Sequence, residues 1–380
     1  MVEPFLRVKP RRLAIGLTAA VALIHGVSIL HAGVHLSSDS GLYAQWADRL
    51  VAQRFDVVAF LRDTRFVVPP VLYLGWIALV ASAKLLLGSS WAAGVVVFNW
   101  FAFTALVYVT LETLQSLTHS TRALLFGALL FLVAADFLII EPFVLSDVVF
   151  VALSTAVLAA ALRGTRPALA AGTVCLLIAC VFRPTAAPLV IVWMLALVLR
   201  DGTITPRQLA GGAFVTGVAL TIAVLVHARL MMRPDLWPVA AGSAWIQQLG
   251  REYHRGIVVF DRPGTFSSPP VTYGAFVALT LRKWLFFFAP FMRDYTAAHK
   301  AVNLLFFGPV YLFGAVALLA WRDRRRKALL VFYVLAFSAF HAVQQIDFDY
   351  RYRLPVLPAL IVMGGVGLAT LRPASRGTCE

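Results

Sequence analysis

Apolar residues run along this chain in long blocks, separated by short polar turns. About twelve blocks stand out, near 13–35, 67–87, 91–113, 122–140, 143–162, 168–182, 184–200, 208–228, 271–291, 301–321, 328–345 and 354–371. Many approach or exceed the roughly 18–20 residues that a helix needs to cross a bilayer. Lipid offers backbone N–H and C=O groups no partners, so a spanning segment is helical unless strands close into a barrel. No barrel-like alternation is visible. The pattern therefore predicts an all-α polytopic membrane helix bundle. The run 168–199 is too long for one span, and "FRPT" divides it, because Pro184 disfavours helix at Arg183.

Composition agrees. The chain has 380 residues, 61% of them hydrophobic and only 13% charged, and a mean hydropathy of +0.83. Its net charge of +15 fits basic cytoplasmic loops and anionic headgroups. Nucleic acid is disfavoured as a partner, since no basic stripe belongs to a soluble domain. Cys175 and Cys180 lie inside an apolar run and Cys379 at the tail, which indicates neither a disulfide framework nor a zinc site. "MVEPFLRVKPRR" followed by "LAIGLTAAVALIHGVSIL" lacks a small-residue cleavage site and reads as an uncleaved first span with a cytoplasmic basic flank.

Parity sets the topology. "RVKPRR" and "WRDRRRK" (Trp321 to Lys327) should both be cytoplasmic, with "RGTRP" and "LRPASRG" on the same side. All four fit if 67–87 and 271–291 do not cross. The first opens with Pro69-Pro70 and holds Lys84, and the second holds Arg282-Lys283 mid-run. Both read as interfacial or re-entrant helices, leaving about ten spans. A first external loop (36–90) and a large external loop (229–300) then share one face with the "FRPT" turn and "QQIDFDYRYRLP", as one domain over 1–380. If both segments do cross, the large loop and its five arginines become cytoplasmic.

Polar residues near a membrane need a reason. Asp39 follows Ser37-Ser38 and opens an amphipathic stretch in which Tyr43, Trp46, Ala47 and Leu50 recur at helical spacing. One reading makes Asp39 the N-cap of an interfacial helix. The other makes it a general base with water on one side and lipid on the other. Glu141 and Asp147 bracket Pro142, either as a solvated turn or as a second acid that orients an acceptor or helps bind a metal. Arg183 is a snorkelling side chain or an anion site. In "DFDYRYRLPVLP", Arg351 and Arg353 alternate with Tyr350 and Tyr352. The arginines either pair with Asp347 and Asp349 or clamp a phosphate, for which the forked guanidinium is suited. His254 stands in a loop with Glu252, Arg251 and Arg255. No HExxH, CxxC, GxSxG or P-loop motif is present, which removes zinc-protease, redox, α/β-hydrolase and NTPase readings at motif level.

The order of these features resembles the GT-C superfamily of membrane glycosyltransferases, in particular the protein O-mannosyltransferases and the lipid A aminoarabinose transferases. "DSGLYAQWADRL" is similar to their first-loop acidic motif, "VVPPVLYLGWIAL" to the Pro-Pro segment closing that loop, and "EPFVLSDVVFVAL" to the second-loop acidic motif. "ACVFRPTAAPLVIVW" and "DYRYRLPVLPALIVMGGVGL" resemble the later R-P-T turn and R-Y-x-x-P-x-x-P segment. The chain has Ser40 where the family often has Glu, and Val68 where Lys often precedes Pro-Pro, with Arg65 the nearest base.

The resemblance implies transfer of a sugar from a polyprenyl-phosphate donor to a lipid, glycan or protein acceptor, with inversion. Asp39 would be the catalytic base. Tyr43, Arg65, Glu141, Asp147, Arg183, His254, Arg351, Tyr352 and Arg353 would bind substrate. No cofactor is specified, and the acids leave room for a divalent cation. A bacterial inner membrane is implied, with the active face extracytoplasmic. A transporter or flippase, an O-antigen-type polymerase and a structural membrane subunit are the competing classes.

Overall fold

A computed structural model of the chain describes residues 10–63, 73–199, 281–282, 284–290, 295–343 and 350–371. The described residues form an all-α bundle. Helix α1 spans Pro10–Ala32, α2 Ser38–Ala52, α3 Val57–Asp63, α4 Leu74–Leu87, α5 Trp91–Thr118, α6 Thr121–Leu132 and α7 Ala135–Ile140. Then come α8 (Asp147–Arg163), α9 (Arg166–Phe182), α10 (Ala187–Val198), α11 (Ala297–Ala320), α12 (Arg324–Val343) and α13 (Leu357–Thr370). Short 3-10 turns lie at Gly88–Ser90, Pro184–Ala186 and Tyr350–Val356.

Four stretches among the described residues are long and apolar enough to cross a membrane: Arg11–Ala32, Leu74–Thr118, Ala297–Ala320 and Arg351–Thr370. Many large apolar side chains face outward, such as Leu30 at 84% and Leu319 at 88% exposure. A soluble surface does not carry such a belt; lipid covers it. The chain is an integral, multi-pass membrane protein. Helix α13 lies innermost, buried from Leu357 to Gly367. It packs closely on α11, where a Cβ added at Gly367 would fall on the Phe313 carbonyl. Small residues that let backbones approach are the usual device for helix association in lipid.

Polar contacts mark the two ends of the bundle. At one end Arg325 caps helix C-termini: Nε donates to the Leu199 carbonyl (2.8 Å), Nη2 to that of Ala161 (2.9 Å) and Nη1 to that of Leu162 (3.3 Å). Arg163 pairs with Glu112 there, joining α8 to α5. At the other end the His35 N–H donates to the Pro142 carbonyl (2.9 Å) and the Val144 N–H returns to the His35 carbonyl (3.2 Å). Asn99 of α5 donates to the carbonyls of Phe143 and Leu145, both at 3.1 Å. The end of α1, the start of α5 and the α7–α8 link are thereby tied together.

Two sequence expectations change. The block 122–140 is not one helix; it breaks after Leu132, and α7 restarts at Ala135. The break sets Asp136 in the first turn of α7, turned inward. The N-cap of α2 is Ser37, not Asp39. The Ser37 hydroxyl accepts from the Ser40 N–H (3.2 Å), and the Ser40 hydroxyl accepts from the Ser37 N–H (3.0 Å), a reciprocal capping box. Ser40 is fully buried and also donates to the Val144 carbonyl at 3.0 Å. Serine therefore does the capping that the carboxylate was expected to do, and Asp39 lies one residue inside the helix with its side chain released.

Candidate active site

Asp39 stands on the first turn of α2, at the end of the bundle where α1, α5 and α8 meet. Its Oδ2 accepts from Arg351 Nη1 at 2.9 Å. The pair is partly wet, with Arg351 20% and Asp39 45% exposed. Solvent can reach the carboxylate while the arginine holds it.

Arg351 also lines a pocket of about 350 Å³, counting the open space at its mouth. Its polar side is made by Asp147, Arg183, Thr185, Arg351, Tyr352 and His341. Phe150, Val151, Phe337, Phe340 and Pro355 make an apolar side. Asp147 opens α8 and Arg183 ends α9, and their side chains pair directly. Burial works against the guanidinium charge of Arg183, but Asp147 outweighs it and raises its pKa, so the pair is ionic. Arg183 is buried, yet among the described residues neither its Nε nor the Thr185 hydroxyl has a hydrogen-bond partner. Both groups are hydrogen-bond donors of the kind that can meet an anion's oxygens.

Tyr43 lies behind this pocket, 6% exposed, with its ring 5.4 Å from Tyr73 and 6.4 Å from Trp76. Burial first, and then Tyr73, push its hydroxyl well above the ordinary phenol pKa, so it stays protonated. Trp76 in turn meets Phe182, one residue before Arg183, which ties α2 and α4 to the end of α9.

Two other expected site residues are engaged elsewhere. Arg353 is 1% exposed; its Nε and Nη2 grip Asp136 at 2.5 and 3.0 Å. Its Nη1 donates to the Ala289 carbonyl at 2.6 Å, and its guanidinium lies over Phe307 at 4.6 Å. Each nitrogen of this guanidinium is hydrogen-bonded, and the group is shut away from solvent. Glu141 is fully buried, so the solvated-turn reading of 141–147 does not hold; Asp147 is buried as well. Both carboxylate oxygens of Glu141 contact His25 Nδ1 at 2.9 Å, while His25 Nε2 donates to the Phe131 carbonyl at 3.1 Å. Burial raises the Glu141 pKa, and the His25 hydrogen bond only partly offsets it.

Asp39, Asp147, Arg183, Arg351 and Tyr352 thus gather around one pocket, with Tyr43 just behind. Arg65 and His254 lie outside the described residues, as do Asp347 and Asp349. Among the described residues, no group of three or more His, Cys, Asp or Glu could hold a metal ion. Asp136, His25 and His341 were missed from sequence. All three are ionisable residues within apolar blocks, which is itself a signal of function or pairing.

The arrangement defines a class: an all-α, multi-pass membrane protein with a carboxylate and paired arginines around a pocket at one end of the bundle. No family model matches the chain, and no curated protein matches it. Among solved structures, the chain is similar to ArnT from Cupriavidus metallidurans in the apo state, at 19% identity and a TM-score of 0.46, over 95% of this chain and 60% of that one. It is similar to the same ArnT bound to undecaprenyl phosphate, at 17% identity and a TM-score of 0.46 over the same shares. The chain therefore spans about 60% of the length of those proteins.

Proposed function

We propose that this chain is a membrane glycosyltransferase that moves a sugar from a polyprenyl-phosphate donor to a hydroxyl of a lipid, glycan or protein acceptor. The observation that carries the reading is the direct contact of Asp39 with Arg351, an arginine that also lines the pocket. Base and anion-binding cation are joined in one hydrogen bond. The donor phosphate would lie against Arg183 and Arg351, with the first carbons of its lipid along Phe150, Phe337 and Phe340. Asp147 would hold Arg183 charged, and Tyr352 would close the wall. Arg353 would support from behind, through Asp136.

In this mechanism Asp39 takes the acceptor proton as the acceptor oxygen attacks the anomeric carbon. The bond from that carbon to the phosphate oxygen breaks, and its electron pair leaves with the phosphate. The transition state is oxocarbenium-like, and a single displacement inverts the centre. Protonation of Asp39 removes its hold on Arg351 at the moment the phosphate gains charge. One guanidinium thus passes from the base to the leaving group, stabilising charge where it develops.

The topology proposed with this reading has about ten spans, with α4 and 271–291 not crossing and the pocket on the extracytoplasmic face of a bacterial inner membrane. The start of α4 touches α2 and the end of α9, and Lys84 near its end reaches the Ala44 carbonyl and Asp48 of α2 (3.0 and 2.6 Å). Both ends of α4 therefore lie against the same interfacial helix. Val58 and Thr165 are exposed near opposite ends; single cysteines there, in a chain cleared of its own, should label from opposite sides of the membrane.

The deciding assay is radiolabelled transfer in isolated membranes, with a panel of polyprenyl-phosphate sugars. A positioned base contributes about 10²–10⁴-fold, so Asp39→Asn should lose that much turnover at normal protein level. Full turnover in Asp39→Asn would remove the carboxylate from the mechanism. A transporter or structural subunit would give no transfer with any donor.

A further inference from the structure

The turn that ends α9 and opens α10 carries two buried hydrogen-bond donors that the fold does not use. Arg183 is 8% exposed, and Asp147 holds its Nη1. Its Nε lies on a different edge of the planar fork and has no partner among the described residues. Two residues on, the Thr185 hydroxyl is buried and also has no partner among them. Both residues line the pocket. An arginine nitrogen can only donate, and a threonine hydroxyl can do so. Buried donors without acceptors cost stability, so packing alone does not account for this corner. A ligand that brings acceptor oxygens does.

Charge and shape narrow the ligand. Thr185 stands two residues before Ala187, where the 12-residue helix α10 begins, so the positive end of its dipole meets the same corner. That favours an anion. Phe150, Val151 and Phe337 line the apolar side of the pocket, so an anion carrying a hydrocarbon chain suits it better than a free one. The chemistry is that of a phosphate ester of an apolar alcohol.

We infer that Thr185 is a further substrate-binding residue, which with Arg183 Nε holds the non-bridging oxygens of the lipid-linked phosphate. This rests on the glycosyltransferase reading and adds a residue to it. Those oxygens are present in the donor and in the departing lipid phosphate alike, so the corner holds both. Arg351, which contacts Asp39, instead meets the charge that develops as the bond breaks.

Binding to the purified full chain in nanodiscs tests this, with farnesyl phosphate, farnesol and inorganic phosphate as probes and thermal unfolding as a second readout. Wild type should bind farnesyl phosphate and be stabilised by it. It should bind farnesol and inorganic phosphate roughly tenfold more weakly, or worse, because each offers half of the contacts. Thr185→Val keeps the branched shape and removes the hydroxyl. It should bind farnesyl phosphate about tenfold more weakly, as expected for one hydrogen bond to a charged group. Without ligand it should unfold at or above the wild-type temperature, since an unmet donor has been removed. Thr185→Ser restores a hydroxyl and should bind like wild type. Arg183→Lys keeps a cation for Asp147 but lacks the second edge, and should weaken binding as well. If Thr185→Val binds as tightly as wild type, the Thr185 role is overturned while the donor class stands. A ligand-free Thr185→Val that unfolds well below wild type makes the hydroxyl structural and overturns the role too. If inorganic phosphate binds as tightly as farnesyl phosphate, the corner takes a free anion, and its assignment to a lipid phosphate is overturned. If wild type binds none of the probes, the polyprenyl-phosphate reading itself fails, and this role with it.

Discussion

Arg351 and Arg353 are two residues apart on one 3-10 turn, yet their substitution should have opposite signatures. Arg353 and Asp136 are 1% and 2% exposed and doubly hydrogen-bonded. Changing Arg353 to Met leaves Asp136 as an unpaired buried charge. Breaking such a pair from one side costs about 3–5 kcal/mol. Replacing both partners by apolar residues, Arg353→Met with Asp136→Leu, removes the stranded charge and should cost less than about 2 kcal/mol. Part of that residue is the Ala289 carbonyl, which loses its donor at about 1 kcal/mol. The Arg351–Asp39 pair is 20% and 45% exposed, so solvent screens it and its loss should cost about 0–1 kcal/mol. Unfolding of detergent-solubilised protein, followed by tryptophan fluorescence, gives the stabilities, and sugar transfer gives the function. Arg353→Met should be destabilised, the double variant largely restored, and Arg351→Met stable but inactive. An Arg353→Met protein as stable as wild type would refute the buried-pair reasoning. So would a double variant weaker than either single one.

Three smaller tests follow from the fold. Ser37→Ala removes the cap of α2 and should cost about 1 kcal/mol in the same unfolding assay, with Asp39→Ala costing less because it caps nothing. Gly367→Val drives a side chain onto the Phe313 carbonyl of α11 and should sharply reduce the folded yield on size-exclusion chromatography, whereas Gly16→Val, in open space, should not. Arg325→Ala takes the side-chain donor from the carbonyls of Leu199 and Ala161, while Leu162 keeps Arg326, and should lower the unfolding free energy by about 1–3 kcal/mol, with transfer in the folded fraction unchanged.

The bundle was legible because apolar blocks of spanning length have few folded solutions in lipid. The helix break at Pro184 was legible because Pro acts locally; the start of α2 was legible to within two residues, with its cap expected at Asp39 and found at Ser37. Pairing was not. Arg351 and Arg353 reach Asp39 and Asp136, 312 and 217 positions away, partners that nothing in "DFDYRYR" names; Asp347 and Asp349 lie outside the described residues. Sequence proximity says nothing about which carboxylate a turn will face once ten or so helix ends have been brought together. Glu141 failed for the same reason: its partner His25 lies 116 residues off, inside the first span. A mid-span histidine needs a partner in lipid, so the partner's existence could be expected and its identity could not.

The displaced cap changes how Asp39 should be understood. A carboxylate held by backbone N–H groups has its charged form favoured and its geometry fixed by the helix. Ser37 and Ser40 supply those hydrogen bonds instead, leaving Asp39 anchored to α2 by its backbone alone. Among the described residues its side chain is held by Arg351, itself partly exposed and lining the pocket. A base whose restraining cation can be recruited by the leaving group becomes easier to protonate as the reaction advances. A base locked to helix amides has no such coupling. The serine pair beside Asp39 is therefore as much a part of the proposed mechanism as the acid, because it frees the carboxylate to answer to the phosphate and not to the helix.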